Sequence, residues 1–92
     1  MQQTSLETIQ TLVTVRDYIR WAASRFSEAK LFHGHGTATP LDDAAALVLH
    51  ALHLPYNLSE SYFSARLTAD ERHKLVDLIN RRINTRIPSA YL

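Results

Sequence analysis

Apolar residues recur at three- and four-residue steps over most of this chain, and no segment of useful length alternates with the period of two that a half-buried strand requires. The first run carries Leu6, Ile9, Leu12, Val13, Val15, Ile19, Ala22, Ala23 and Phe26 on one broad stripe, with Arg16, Asp17, Arg20 and Glu28 mostly outside it. It contains neither Gly nor Pro, and Thr4 and Glu7 have the spacing of a capping box, so the pattern predicts a single helix from Thr4 to about Lys30. A second helix is predicted to start with Thr39 as N-cap and Pro40 at the first helical position. Asp42 and Asp43 then lie near the positive end of its dipole, and Leu54-Pro55 ends it. This helix is apolar nearly all round, from Leu41 through Ala44, Leu47 and Val48 to Leu52, which makes it the most buried.

The stretch from Tyr56 to Arg66 reads equally well as a loop or as a short helix that carries Tyr62 and Phe63 inward. A second capping box, Thr68 with Glu71, then opens a helix predicted over Ala69 to Thr85, with Leu75, Val76, Leu78, Ile79 and Ile83 at helical spacing until Ile87-Pro88. The fold class is therefore all-α, a small bundle of three to four helices with a short extended C-terminal tail from Ile87 to Leu92.

Ninety-two residues support one hydrophobic core, and 46% hydrophobic with 21% charged residues is the composition of a globular domain. The chain has no cysteine, which removes disulfides, thiolate nucleophiles and sulfur-built zinc sites and points to the cytoplasm. Its longest apolar run, Ala44 to Leu49, is far short of the ~20 residues that cross a bilayer, and MQQTSLET lacks the order of a signal peptide, so no membrane association is expected.

Both glycines lie in LFHGHGTATPLDDA. Gly34 and Gly36 permit positive φ, so either can close the end of the first helix, while Thr37 to Pro40 prepare the next. As a metal site His33 and His35 lack sulfur and matched partners, and His50 and His53 would join them only by a coincidence of folding. A phosphate loop would need a preceding strand and a Lys-Ser/Thr ending. No spacing couples a serine to a histidine base. We therefore expect no catalytic, cofactor-binding or metal-ligating residue in this chain. The Gly34, His35, Gly36, Thr37 loop remains as a surface for a partner. The last helix is the basic end, where Arg72, Lys74, Arg81, Arg82 and Arg86 oppose only Asp70, Glu71 and Asp77. Its charge suits either a solvated face or a partner, and RNA contact is a secondary expectation because stacking aromatics and a recognisable motif are missing. Trp21, beside Arg20 and Arg25, is expected to pack rather than to lie exposed.

Four short strings resemble a known family: Arg20-Trp21 with Ser24-Arg25-Phe26; Gly34-His35-Gly36-Thr37; Ala65-Arg66-Leu67-Thr68; and the ending Arg86-Ile87-Pro88-x-Ala90-Tyr91-Leu92. They are similar to the N-terminal region of the HemK-like protein-glutamine N-methyltransferases, in particular the branch acting on a large-subunit ribosomal protein, and the likeness runs from about residue 16 onward. It implies a helical substrate-recognition domain over 1–86 and, over 87–92, the start of a linker to a Rossmann-like methyltransferase domain outside this sequence. It also implies S-adenosylmethionine as cofactor of the parent enzyme, bound by that other domain. The family's glycine-rich cofactor loop and its Asn-Pro-Pro-Tyr motif have no counterpart here. What the resemblance leaves to this chain is recognition of the protein substrate, with Gly34, His35, Gly36, Thr37, Arg81, Arg82 and Arg86 as candidate contacts. The competing expectation is a stand-alone helical module that binds protein or RNA.

Overall fold

A computed structural model describes residues 2–31, 39–87 and 92, with the side chains of 2–4 left aside. Four helices follow one another: α1 (Gln2–Thr11), α2 (Val15–Glu28), α3 (Pro40–Ala51) and α4 (Ala69–Thr85), with a single 3-10 turn at Glu60–Tyr62. The described residues contain no sheet, only an isolated antiparallel bridge between Thr14 and Arg66. An all-α bundle is therefore what forms.

The single first helix does not form; it is broken at Leu12–Thr14 into α1 and α2. Thr4 lies inside α1 rather than capping it. The break has a local cause. The Asp17 amide donates to Thr14 Oγ1 at 3.1 Å, while Asp17 Oδ2 accepts from the Val13 and Thr14 amides at 2.9 and 3.0 Å. This capping box starts a new helix, and the β-branched run Val13-Thr14-Val15 weakens continuation of the old one. The backbone groups exposed by the break are taken up by the 63–67 segment. Val15 and Arg16 N–H donate to the Ala65 and Phe63 carbonyls, and Leu67 N–H donates to Val13 O at 2.8 Å. These amide bonds, led by the one from Val13, hold the Asp17 carboxyl below its ordinary pKa despite the opposing effect of partial burial.

The first run ends near Lys30 as predicted, but the residue that closes it differs from expectation. α2 closes at Lys30, not at a glycine: Lys30 has φ 54°, and its N–H donates to Ser27 O while Leu31 N–H donates to Phe26 O. That double bond pattern is a Schellman end, fixed by the buried Leu31. α3 ends the same way, with His53 at φ 60° and Leu54 N–H donating to Leu49 O. Its start is as predicted, with Thr39 as N-cap accepting from the Asp42 amide at 3.1 Å. α4 starts at the Thr68–Glu71 capping box and runs over the predicted residues.

α2 and α3 pack along their length, α4 crosses both, and α1 folds back onto α4. The core is the inner face of α2 (Val15, Tyr18, Ile19, Ala22, Phe26) against Ala44, Leu47 and Val48 of α3 and Leu75, Val76 and Ile79 of α4. Burying such side chains contributes about 1.5–3 kcal/mol each, which outweighs the cost of left-handed Lys30 and His53. Tyr62 does not turn inward; it is exposed, and only Phe63 packs against the core. In the tail, Ile87 is exposed and Leu92 packs against the core, while residues 88–91 lie outside the described part.

Candidate functional site

The Gly34, His35, Gly36, Thr37 loop lies outside the described residues. The three candidate arginines do not share a face. Arg81 is exposed on α4 and pairs with Asp77 one turn earlier, N–O 3.6 Å, an arrangement that contributes little in solvent. Arg86, at φ 62° past the end of α4, donates from Nη1 to the Ala29 carbonyl at 2.8 Å and so satisfies an orphan acceptor at the end of α2.

Arg82 is a core residue and corrects the expectation of a continuous basic surface. Its side chain is 3% exposed and meets Asp43, 2% exposed, through Nε at 3.2 Å and Nη2 at 3.1 Å. The guanidinium also lies over the Phe26 ring, 5.7 Å from its centroid. Helical geometry produces this split: consecutive residues are about 100° apart, so Arg81 points to solvent when Arg82 points at α2 and α3. Asp43 likewise serves the core rather than merely sitting near the helix dipole. Sequence reasoning had no means to pair residues 43 and 82 across two helices.

A different feature gathers side chains from three elements. Ser5 and Ile9 of α1, Trp21, Arg25 and Glu28 of α2, and a stripe of α4 enclose a cleft of about 770 Å³. The α4 stripe is His73, Val76, Asp77, Asn80 and Asn84, residues three or four apart that helical geometry places on one face. Buried Ile9 and Val76 make the cleft apolar at depth. Half-buried Trp21 forms a wall, braced edge-on by the buried Tyr18 ring at 6.3 Å and capped by the Arg25 guanidinium 5.1 Å from its centroid. Trp21 thus packs, as expected, while keeping one side open to this cleft. The Tyr18 hydroxyl meets no hydrogen-bonding group among the described residues, and burial raises its pKa.

Of this stripe, Val76 stood out in the sequence as an apolar position and Asp77 as a charge on the basic helix, and Asn80 and Asn84 gave no signal. Their significance comes from α1, which closes the third side only because the first helix breaks. Among the described residues no group of three or more His, Cys, Asp or Glu is gathered for a metal ion. None of their helices is long and apolar enough to span a membrane.

What these elements define is a small α-helical domain with a mixed polar and apolar cleft at its surface. Its relatives are specific. The chain is 52% identical over 81 residues to the ribosomal protein uL3 glutamine methyltransferase of Bradyrhizobium diazoefficiens, covering 88% of this chain and 25% of that protein. It is 51% identical over 79 residues to the protein of the same name from Burkholderia pseudomallei, covering 86% of this chain and 26% of that protein. The Neisseria meningitidis protein of that name is 47% identical over 83 residues, with 90% and 27% covered. The chain is therefore homologous to part of the ribosomal protein uL3 glutamine methyltransferases and spans about a quarter of their length. No family model and no solved structure matches it.

Proposed function

We propose that these residues form the N-terminal helical domain of a protein-glutamine methyltransferase whose substrate is a large-subunit ribosomal protein, and that the domain holds that protein for a catalytic domain elsewhere in the parent enzyme. The observation carrying this reading is the similarity at 47–52% identity, over most of this chain, to a quarter of three proteins named as uL3 glutamine methyltransferases. S-adenosylmethionine would supply the methyl group in the parent enzyme. The sequence carries neither of the family's cofactor motifs, and nucleotide-like cofactors of Rossmann-type domains sit beyond the carboxyl ends of parallel strands, so on this reading the cofactor belongs to the catalytic domain. Binding and orientation are what remains for this domain. Holding two reactants in register lowers the effective barrier without any group touching the reacting atoms.

Within this reading the candidate contacts are the Gly34, His35, Gly36, Thr37 loop and the exposed Arg81 and Arg86, with Arg82 excluded by its burial. In the full-length enzyme, Arg81→Glu with Arg86→Glu is expected to lower kcat/KM for the ribosomal protein by about tenfold, mainly through KM, because rim charges act on encounter and docking. Unchanged kcat/KM in a folded variant removes the arginines from the proposal. RNA affinity that falls steeply with salt, together with no effect of the domain on methyl transfer, replaces it by an RNA-binding module.

A further inference from the structure

We infer that the cleft between α1, α2 and α4 grips an extended, weakly charged segment of the substrate polypeptide by its backbone, close to the end of α4. The inference rests on the substrate-holding role proposed above and names the site that performs it.

The chemistry of the lining selects the ligand class. Asn80 and Asn84 lie one turn apart on α4, and neither carboxamide is taken up by a hydrogen bond among the described residues. Each offers a carbonyl acceptor and an NH₂ donor, the same pair of functions that a peptide unit presents in complement. The charges at the cleft are paired rather than concentrated: Arg25 faces Glu28 and is already stacked on Trp21, and Asp77 is paired with Arg81. A polyanion finds no concentrated positive field there, which disfavours RNA. The apolar depth at Ile9 and Val76 suits one aliphatic side chain of a strand whose alternate residues point outward.

Length and position agree with this. From His73 to Asn84 the α4 stripe advances by eleven residues, or about 16 Å at 1.5 Å per residue, enough for roughly five residues of extended chain. Arg86 Nη1 bonds to Ala29 O, which ties the end of α4 to the end of α2, beside Glu28 and Asn84 in the cleft mouth. The chain therefore passes out of α4 at one end of the cleft. A segment lying in the cleft reaches the end of α4 at Asn84.

The test uses the full-length enzyme and unmethylated ribosomal protein. Asn80→Ala with Asn84→Ala is expected to raise KM about tenfold with kcat within twofold, as two lost hydrogen bonds to substrate predict, and to leave Tm unchanged. Asn84→Arg, which fills the mouth, should act in the same direction; if it fails to fold, the alanine pair still decides. A photo-crosslinking residue at position 84 should capture substrate, whereas one at exposed Tyr56, outside the cleft, should not. Capture at 56 alone with unchanged KM in the alanine pair overturns the cleft and leaves the substrate-holding role standing. Absence of capture at both positions, with KM unchanged by both variants, likewise overturns the cleft, and the substrate-holding role is then decided by the Arg81→Glu with Arg86→Glu variant. A loss confined to kcat also refutes the inference, because it assigns the asparagines to the support of the neighbouring domain.

Discussion

Removing one partner of the Asp43–Arg82 pair is the sharpest test of how this bundle is held together. Both side chains are almost fully buried, 2% and 3% exposed, and Asp43 Oδ2 receives Nε and Nη2 of Arg82 at 3.2 and 3.1 Å. Asp43→Ala leaves a guanidinium in the core without this carboxylate, a change that costs about 3–5 kcal/mol, against ~0–1 kcal/mol for an exposed pair. The total stability of a 92-residue domain is about 5–14 kcal/mol, so the variant loses roughly a fifth of it or more. At about 4–8 °C per kcal/mol, Tm should fall by more than ~12 °C. Replacing both partners, Asp43→Leu with Arg82→Met, removes the two buried charges together and should recover most of that loss. Urea unfolding followed by circular dichroism, with m checked for constancy, of the wild type, Asp43→Leu, Arg82→Met and the double variant gives the four corners of the cycle, and Asp43→Ala is measured beside them. A cost below ~1 kcal/mol for Asp43→Ala, or a double variant as unstable as the sum of the singles, refutes the argument. It would also return Arg82 to the surface and reopen its candidacy as a substrate contact.

Three further outcomes are expected. Thr14→Ala should cost about 1 kcal/mol by removing the cap at the break between α1 and α2; no loss in urea unfolding would mean that the break is set by the 63–67 segment alone. The depressed pKa of Asp17 contributes stability that is fully present above its unfolded value near 3.9 and is lost as pH falls through the lower folded value; Asp17→Asn should therefore flatten the acid limb of a Tm-versus-pH profile below about pH 4, and an unchanged limb would contradict this. Tyr18→Phe removes a buried hydroxyl that bonds to no described protein group, so stability should hold within about 0.5 kcal/mol or rise, whereas a loss above ~1.5 kcal/mol would reveal a bond to that oxygen.

Signals carried by a few adjacent residues were legible. Thr39-Pro40 and the Thr68–Glu71 box placed two helix starts, because capping is decided within four residues. The equally local Thr14–Asp17 box was masked by an apolar stripe that continues across it, since Leu12, Val13 and Val15 keep helical spacing while their backbone turns away. Glycine was also a misleading guide to the end of α2. Lys30 adopts the left-handed conformation because Leu31 gains burial there, and that gain depends on α3 and α4 being in place. Arg82 shows the same limit for charge: whether an arginine near a helix end meets solvent or a buried aspartate depends on a partner thirty-nine positions away.

The break at Leu12–Thr14 connects fold to function. A continuous helix would carry Ser5 and Ile9 away along the axis of α2, leaving the His73 to Asn84 stripe as an open helix face. Because Asp17 satisfies the Val13 and Thr14 amides and the 63–67 segment takes up their neighbours, α1 can turn back onto α4 without leaving those backbone groups unpaired. The result is a third wall for a cleft whose other two walls already carry an aromatic ring and a row of carboxamides. On this reasoning the capping box is a positioning device for the site as well as a source of stability. Thr14→Ala in the full-length enzyme should then raise KM for the ribosomal protein by a factor that repositioning α1 predicts and that a uniform loss of stability does not. The comparison is Ala44→Gly, which weakens the core at α3, outside the lining of the cleft, and should lower Tm while leaving KM as it was.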